Sequence, residues 1–134
     1  MSKYELYLNL VREMCERLEK TDINKLTNED IWDAALMRLQ VIGENLKKIP
    51  KKLKEKSPEV KWENFEWFRN QISHEYKIVL REVVKDLIKK IPELKNSILK
   101  MKKELKNYLK MKLEQKTGNF LTNSPKRGRV KELK

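Results

Sequence analysis

Arg69, Asn70, His74 and Tyr76 fall within the eight-residue stretch Arg69-Asn70-Gln71-Ile72-Ser73-His74-Glu75-Tyr76. They supply a guanidinium, an amide, an imidazole and a phenol, and His74 is the only histidine in the chain. The set suits phosphodiester chemistry on RNA, in which the 2′-hydroxyl attacks its own phosphate once a base removes its proton and a cation steadies the developing charge. An imidazole titrates near neutrality, so His74 could act as that base or as the acid for the leaving oxygen. Arg69 would hold the phosphate with a bidentate fork and stabilise the transition state. Asn70 lies one helical turn before His74 and can orient the imidazole or bond the phosphate. Tyr76 can bond the phosphate or stack on a base. This chemistry requires neither metal nor cofactor. A plainer reading of the same residues makes Arg69 and His74 partners in surface ion pairs with Glu66, Glu75 or another neighbour.

Geometry limits the catalytic reading. At about 100° per residue, Arg69 and Tyr76 lie nearly in line on a helix, while Asn70 and His74 form a second pair displaced around it. One ideal helix cannot aim all four at one atom. Either the helix is distorted, or Arg69 reaches across, or two copies of the motif meet at a twofold axis. Isologous pairing is the commonest form of oligomer, and a homodimer is expected.

The motif needs a helix to carry it. Directly upstream, Trp62, Phe65, Phe68, Ile72 and Tyr76 step by three and four, which predicts a helix from about Trp62 to about Val79 whose aromatic stripe is core. Trp67 lies off that stripe, where it could face a partner subunit. Earlier, Tyr4, Tyr7, Leu8, Val11, Met14, Cys15 and Leu18 predict a first helix. The polar segment from Thr21 ends at Asn28 or Thr27, either of which can cap a second helix with Glu29 and Asp30 in its first turn. That helix carries Ala35, Leu39, Ile42, Leu46 and Ile49 and ends at Pro50. Gly43 sits inside it at a cost of about 1 kcal/mol relative to Ala, which implies close approach by another helix. Lys51 to Ser57 reads as a short, solvated helical turn or a loop. A fourth helix holds Leu80, Val83, Val84, Leu87, Ile88 and Ile91 and is closed by Pro92. A fifth, opened by Glu93, holds Leu94, Ile98, Met101, Leu105 and Tyr108, with lysines on its other sides. Thr117-Gly118-Asn119 is expected to break it. The expected organisation is therefore an all-α, antiparallel up-and-down bundle of four to five helices over residues 1–115, followed by a basic, flexible tail over residues 116–134.

Composition agrees with one domain and excludes several functions. The 134 residues contain only three Gly and four Pro, which favours helices over turn-rich β structure. One His and one Cys cannot build a Cys/His metal site in a single chain, and three scattered glycines provide no phosphate-cradling loop. Kinases, NTPases and dinucleotide enzymes are thereby excluded. The net charge of +12 attracts polyanions and makes nucleic acid or nucleotide the natural partner. Its lysines are spread along every segment, however, so a solvated Lys/Glu surface accounts for the charge equally well. No apolar run approaches the roughly 20 residues needed to span a membrane, and no signal-peptide pattern is present, so a cytoplasmic location is expected.

The order Ala35-Leu36-Met37-Arg38-Leu39-Gln40-Val41-Ile42-Gly43-Glu44, Ile49-Pro50, Pro58, Trp62, Arg69-Asn70, His74, Tyr76 and Ile91-Pro92-Glu93-Leu94 resembles the HEPN superfamily. Within it, the chain resembles the HepT-like (DUF86) toxins paired with MNT-type nucleotidyltransferase antitoxins, over roughly Tyr4 to Leu105. The resemblance implies a metal-independent endoribonuclease acting through Arg69, a polar residue, His74 and Tyr76, and a homodimer whose motifs face each other. It also implies that Tyr76 receives AMP from the cognate antitoxin, which would block the site with bulk and negative charge. Glu44 recurs in the family pattern and reads as structural or interfacial. The alternative is a non-catalytic subunit that binds nucleotide or the partner enzyme.

Overall fold

A computed structural model describes residues 2–75 and 81–122, with the side chains of 71–75 and 117–122 left aside. Six α-helices and one 3-10 turn make up the regular structure of the described residues, and no strand occurs among them. The chain divides into two compact units, Met1–Lys102 and Lys103–Lys134.

In the first unit, α1 spans Lys3–Glu19, α2 Glu29–Lys47, α3 Lys51–Lys54, α4 Trp62–Glu75 and α5 Arg81–Lys89. The last helix, α6, begins at Ile91 and runs to Thr122. Their starts follow from local chemistry. The Ser2 hydroxyl caps α1 by accepting from the Glu5 amide at 3.1 Å. The Asn28 carboxamide oxygen caps α2 by accepting from the Ile31 amide at 3.1 Å, with Glu29 and Asp30 complementing the positive end of the helix.

Most of the residues expected on the buried stripes are buried, whereas Tyr4, Tyr7, Val83 and Tyr108 are half-buried. Leu8, Val11, Met14, Cys15 and Leu18 of α1 meet a core shared with Ala35, Leu36, Leu39, Ile42 and Leu46 of α2. Helix α2 packs against α1 and against α4, so it is the central element. Phe65 and Phe68 are buried from α4, each contributing on the order of 2 to 3 kcal/mol by leaving water. Lys95 of α6 reaches Glu19 at 2.9 Å and Glu16 at 3.8 Å, which ties the start of α6 to the end of α1.

Four expectations need correction, beginning with the count of four to five helices, since six occur among the described residues once the short α3 is included. Lys51 to Ser57 does open with a short helical turn, α3, but it is not wholly solvated, because Leu53 and Ser57 are buried. Pro92 does not close α5. It stands in the first turn of α6, where its missing N–H has no intrahelical role and its fixed φ suits the helix. The break at Thr117-Gly118-Asn119 does not occur, since α6 continues to Thr122; its established hydrogen-bond ladder absorbs one glycine at a cost of about 1 kcal/mol. The predicted third helix is described to Glu75, and Tyr76 to Leu80 lie outside the described residues, as does the tail beyond Thr122. In the second unit, Lys112 stacks over Tyr108 at 4.9 Å, and Met111 and Leu113 are exposed. No helix among the described residues is long and apolar enough to cross a membrane.

Candidate active site

Helix α4 is fixed at its start before it carries any chemistry. The Trp62 indole N–H donates to the carbonyl oxygens of Lys54 at 3.0 Å and Ser57 at 3.2 Å, so the buried ring satisfies its polar end and clamps the α3 segment to α4. Lys54 completes the clamp: its ammonium donates to the Leu46 carbonyl at 3.0 Å and to Glu66 Oε2 at 3.2 Å. Beyond residues 76–80, Arg81 donates from Nε to the Leu26 carbonyl at 3.3 Å and stacks over Trp32 at 5.2 Å. The motif thus lies between two anchored points.

Between those anchors, α2 and α4 approach closely at Gly43. A Cβ there would stand 2.6 Å from the Phe65 carbonyl oxygen and 2.7 Å from Arg69 Cβ. The absence of that atom lets the next residue, Glu44, come level with Arg69. Glu44 Oε1 lies 3.9 Å from Arg69 Nε and accepts from the Gln40 carboxamide at 3.4 Å. On its other side Arg69 donates from Nη1 to Asn70 Oδ1 at 3.1 Å. The guanidinium is consequently set between a carboxylate on the neighbouring helix and an amide on its own. Both charged side chains are more than a third exposed, so the pair orients Arg69 more than it stabilises the fold.

Arg69 and Asn70 are brought together. Of the carboxylates that an ion-pair reading allowed for Arg69, Glu66 is engaged by Lys54, and the one beside Arg69 is a neighbour from α2, Glu44. Position 74 lies in the last turn of α4, on the helix that presents Arg69. Tyr76 lies outside the described residues. Gln40 escaped notice in the sequence, although its position one turn before Glu44, on the face beside Gly43, was the available signal. Cys15 takes no part: burial first, then Glu19, pushes its thiol up to about 12, leaving it protonated and inert at neutral pH.

The described residues are helical, with Arg69 set beside Asn70 and Glu44 and position 74 in the last turn of the same helix. The family description "Ribonuclease HepT-like" matches residues 4–101, and the chain belongs to this HepT-like family. Among its curated relatives is a protein of Methanocaldococcus jannaschii named "Gamma-glutamylcyclotransferase and putative RNase", 33% identical over 107 residues. That match takes in 75% of this chain but 48% of the relative, so the chain spans about half the length of that two-function protein. A protein of Caldanaerobacter subterraneus subsp. tengcongensis named "Putative RNase" is 29% identical over 98 residues, 69% of this chain and 88% of the relative. A second M. jannaschii protein of that name is 36% identical over 81 residues, 60% of this chain and 70% of the relative. No solved structure matches the chain significantly.

Proposed function

We propose that this chain is the toxin component of a type VII (HEPN/MNT) toxin–antitoxin pair, a metal-independent endoribonuclease acting in the cytoplasm. The observation that carries the reading is the setting of Arg69, aligned by Glu44 and Asn70 on the helix that also bears His74. In the proposed reaction the 2′-hydroxyl of a ribose attacks the adjacent phosphorus, and the 5′-oxygen of the next nucleotide leaves. His74 handles the proton, and Arg69 stabilises the charge gathering on the phosphate oxygens. Asn70 holds one arm of the guanidinium. Two protomers facing each other across a twofold axis would bring Arg69 of one and His74 of the other into a single cleft, which answers the angular mismatch along one helix. The cognate MNT-type nucleotidyltransferase silences the site: the Tyr76 oxygen attacks the α-phosphorus of ATP, pyrophosphate leaves, and the bound AMP occupies the cleft. The HEPN-like domain is taken to span residues 1–115, and residues 116–134 are the basic C-terminal segment.

A second reading, a non-catalytic subunit binding nucleotide or the partner enzyme, is favoured by Glu44, whose carboxylate offsets part of the Arg69 charge. The experiment that separates them is incubation of the purified chain with RNA in EDTA, beside His74→Ala. Cleavage that persists in EDTA and vanishes in the variant establishes the nuclease; retention of RNA or nucleotide without product establishes the binding subunit.

A further inference from the structure

We propose that Trp67, with the groove beside it, is a stacking site for one nucleobase of single-stranded RNA. The proposal rests on the ribonuclease reading and extends it from the reacting phosphate to how the strand is held. The other two tryptophans have structural roles: Trp62 is buried with its N–H bonded twice, and Trp32 lies under Arg81. Trp67 instead stands 51% exposed on the helix that carries the motif. It borders a groove of about 170 Å³ between α4 and α5, lined by Asn64, Val83, Asp86, Leu87 and Lys90. Asn64 and Lys90 also line a neighbouring cavity of about 200 Å³ that adds Lys61 together with the carboxylates of Glu59 and Glu93.

These pieces match what a base on a strand requires. The indole face and the Val83 and Leu87 side chains offer an apolar slot for a planar ring. The Asn64 carboxamide, with both donor and acceptor, can meet a base edge; Lys61 and Lys90 stand among Glu59, Glu93 and Asp86, so stacking rather than phosphate charge carries the contact. Register places the slot on the side of α4 that carries position 74: positions 67 and 74 are seven residues apart, so they share a face about 10.5 Å apart along the axis, whereas position 69 lies about 160° around the helix. A base stacked on Trp67 would belong to a nucleotide near the scissile bond rather than to the bond itself. A second copy of this chain is the less suitable occupant, because interface cores are depleted in charge, and here one indole is ringed by Asp86, Lys90 and Asn64.

The test uses the full chain carrying His74→Ala, so that RNA remains uncut, titrated with short oligoadenylate while tryptophan emission and affinity are recorded. Quenching on binding is expected. Adding Trp67→Ala should abolish most of the quenching and weaken binding by roughly 5- to 150-fold, the range for losing one base–aromatic stack. Adding Trp67→Phe should keep affinity near the parent, and circular dichroism should show all three folded alike. Equal affinity and quenching with and without Trp67 would overturn the site while leaving cleavage by the wild-type chain intact. Unchanged affinity accompanied by dissociation of a dimer in Trp67→Ala would overturn it in favour of a second copy. A wild-type chain that neither binds nor cuts RNA would remove the ribonuclease reading and this site together.

Discussion

Gly43 and Arg69 are packed so closely that a methyl group on the glycine would lie 2.7 Å from the arginine Cβ, and 2.6 Å from the Phe65 carbonyl oxygen. One of those two atoms is backbone, so the clash cannot be relieved by a side-chain rotation alone. The spacing between α2 and α4 is set here, and with it the reach of Glu44 to the guanidinium. Gly43→Ala should therefore destabilise the fold by about 1 to 3 kcal/mol, the usual cost of overpacking, despite the better helix propensity of alanine. Denaturant unfolding measures the loss, and RNA cleavage should fall along with it. A variant as stable as wild type would show that the two helices separate freely.

Arg69→Ala should leave the helical signal intact while removing on the order of 2 to 4 kcal/mol of transition-state stabilisation, as for other charge-stabilising donors. Glu44→Gln keeps the shape and removes the charge. Because this pair is substantially exposed, its stability should change by less than about 1 kcal/mol, whereas the turnover rate should drop with little change in RNA affinity. An equal loss in stability and turnover would give Glu44 a purely structural role.

Tyr76→Phe removes the oxygen that would accept AMP and keeps the ring. Cells expressing this variant should suffer growth arrest even with active nucleotidyltransferase present, and mass spectrometry should find no added adenylate. Full neutralisation of the variant would move the modification to another residue.

Alkaline stability should carry the mark of Cys15. Its folded value lies at about 12 against an ordinary 9.0, chiefly through burial and then Glu19. The unfolded chain therefore loses its thiol proton first. The contribution is fully present below about pH 9 and is lost as pH rises toward about 12, at up to roughly 1.4 kcal/mol per pH unit. Lys95, raised by its hydrogen bond to Glu19, acts in the same direction: its stabilisation holds below the ordinary lysine value and is lost above it. Urea unfolding across this range should show a steep decline for wild type and a shallower one for Cys15→Ala. Parallel curves would mean that the thiol is already accessible in the folded chain.

The residues that make this chain helical act through their neighbours in sequence, which is why those elements were legible in advance. Leu8 to Leu18, Ala35 to Leu46, and Trp62 to Phe68 each repeat at helical spacing, and Asn28 caps by a bond to an amide three residues on. Gly43 announced a close approach for the same reason, since its cost inside a helix is local and must be offset elsewhere. The sequence also placed Arg69, Asn70 and His74 on one helix. It could not say which carboxylate would stand beside Arg69, because Glu66, nearer in sequence, is taken by Lys54 from α3, and Glu44 arrives from α2 only when the glycine lets two helices touch. Nor could it tell that Trp67 borders a groove, whose far wall comes from α5. Periodicity and capping are properties of a few consecutive residues; a charge pairing across helices, or a slot between them, exists only after the chain has folded back on itself and chosen among competing partners.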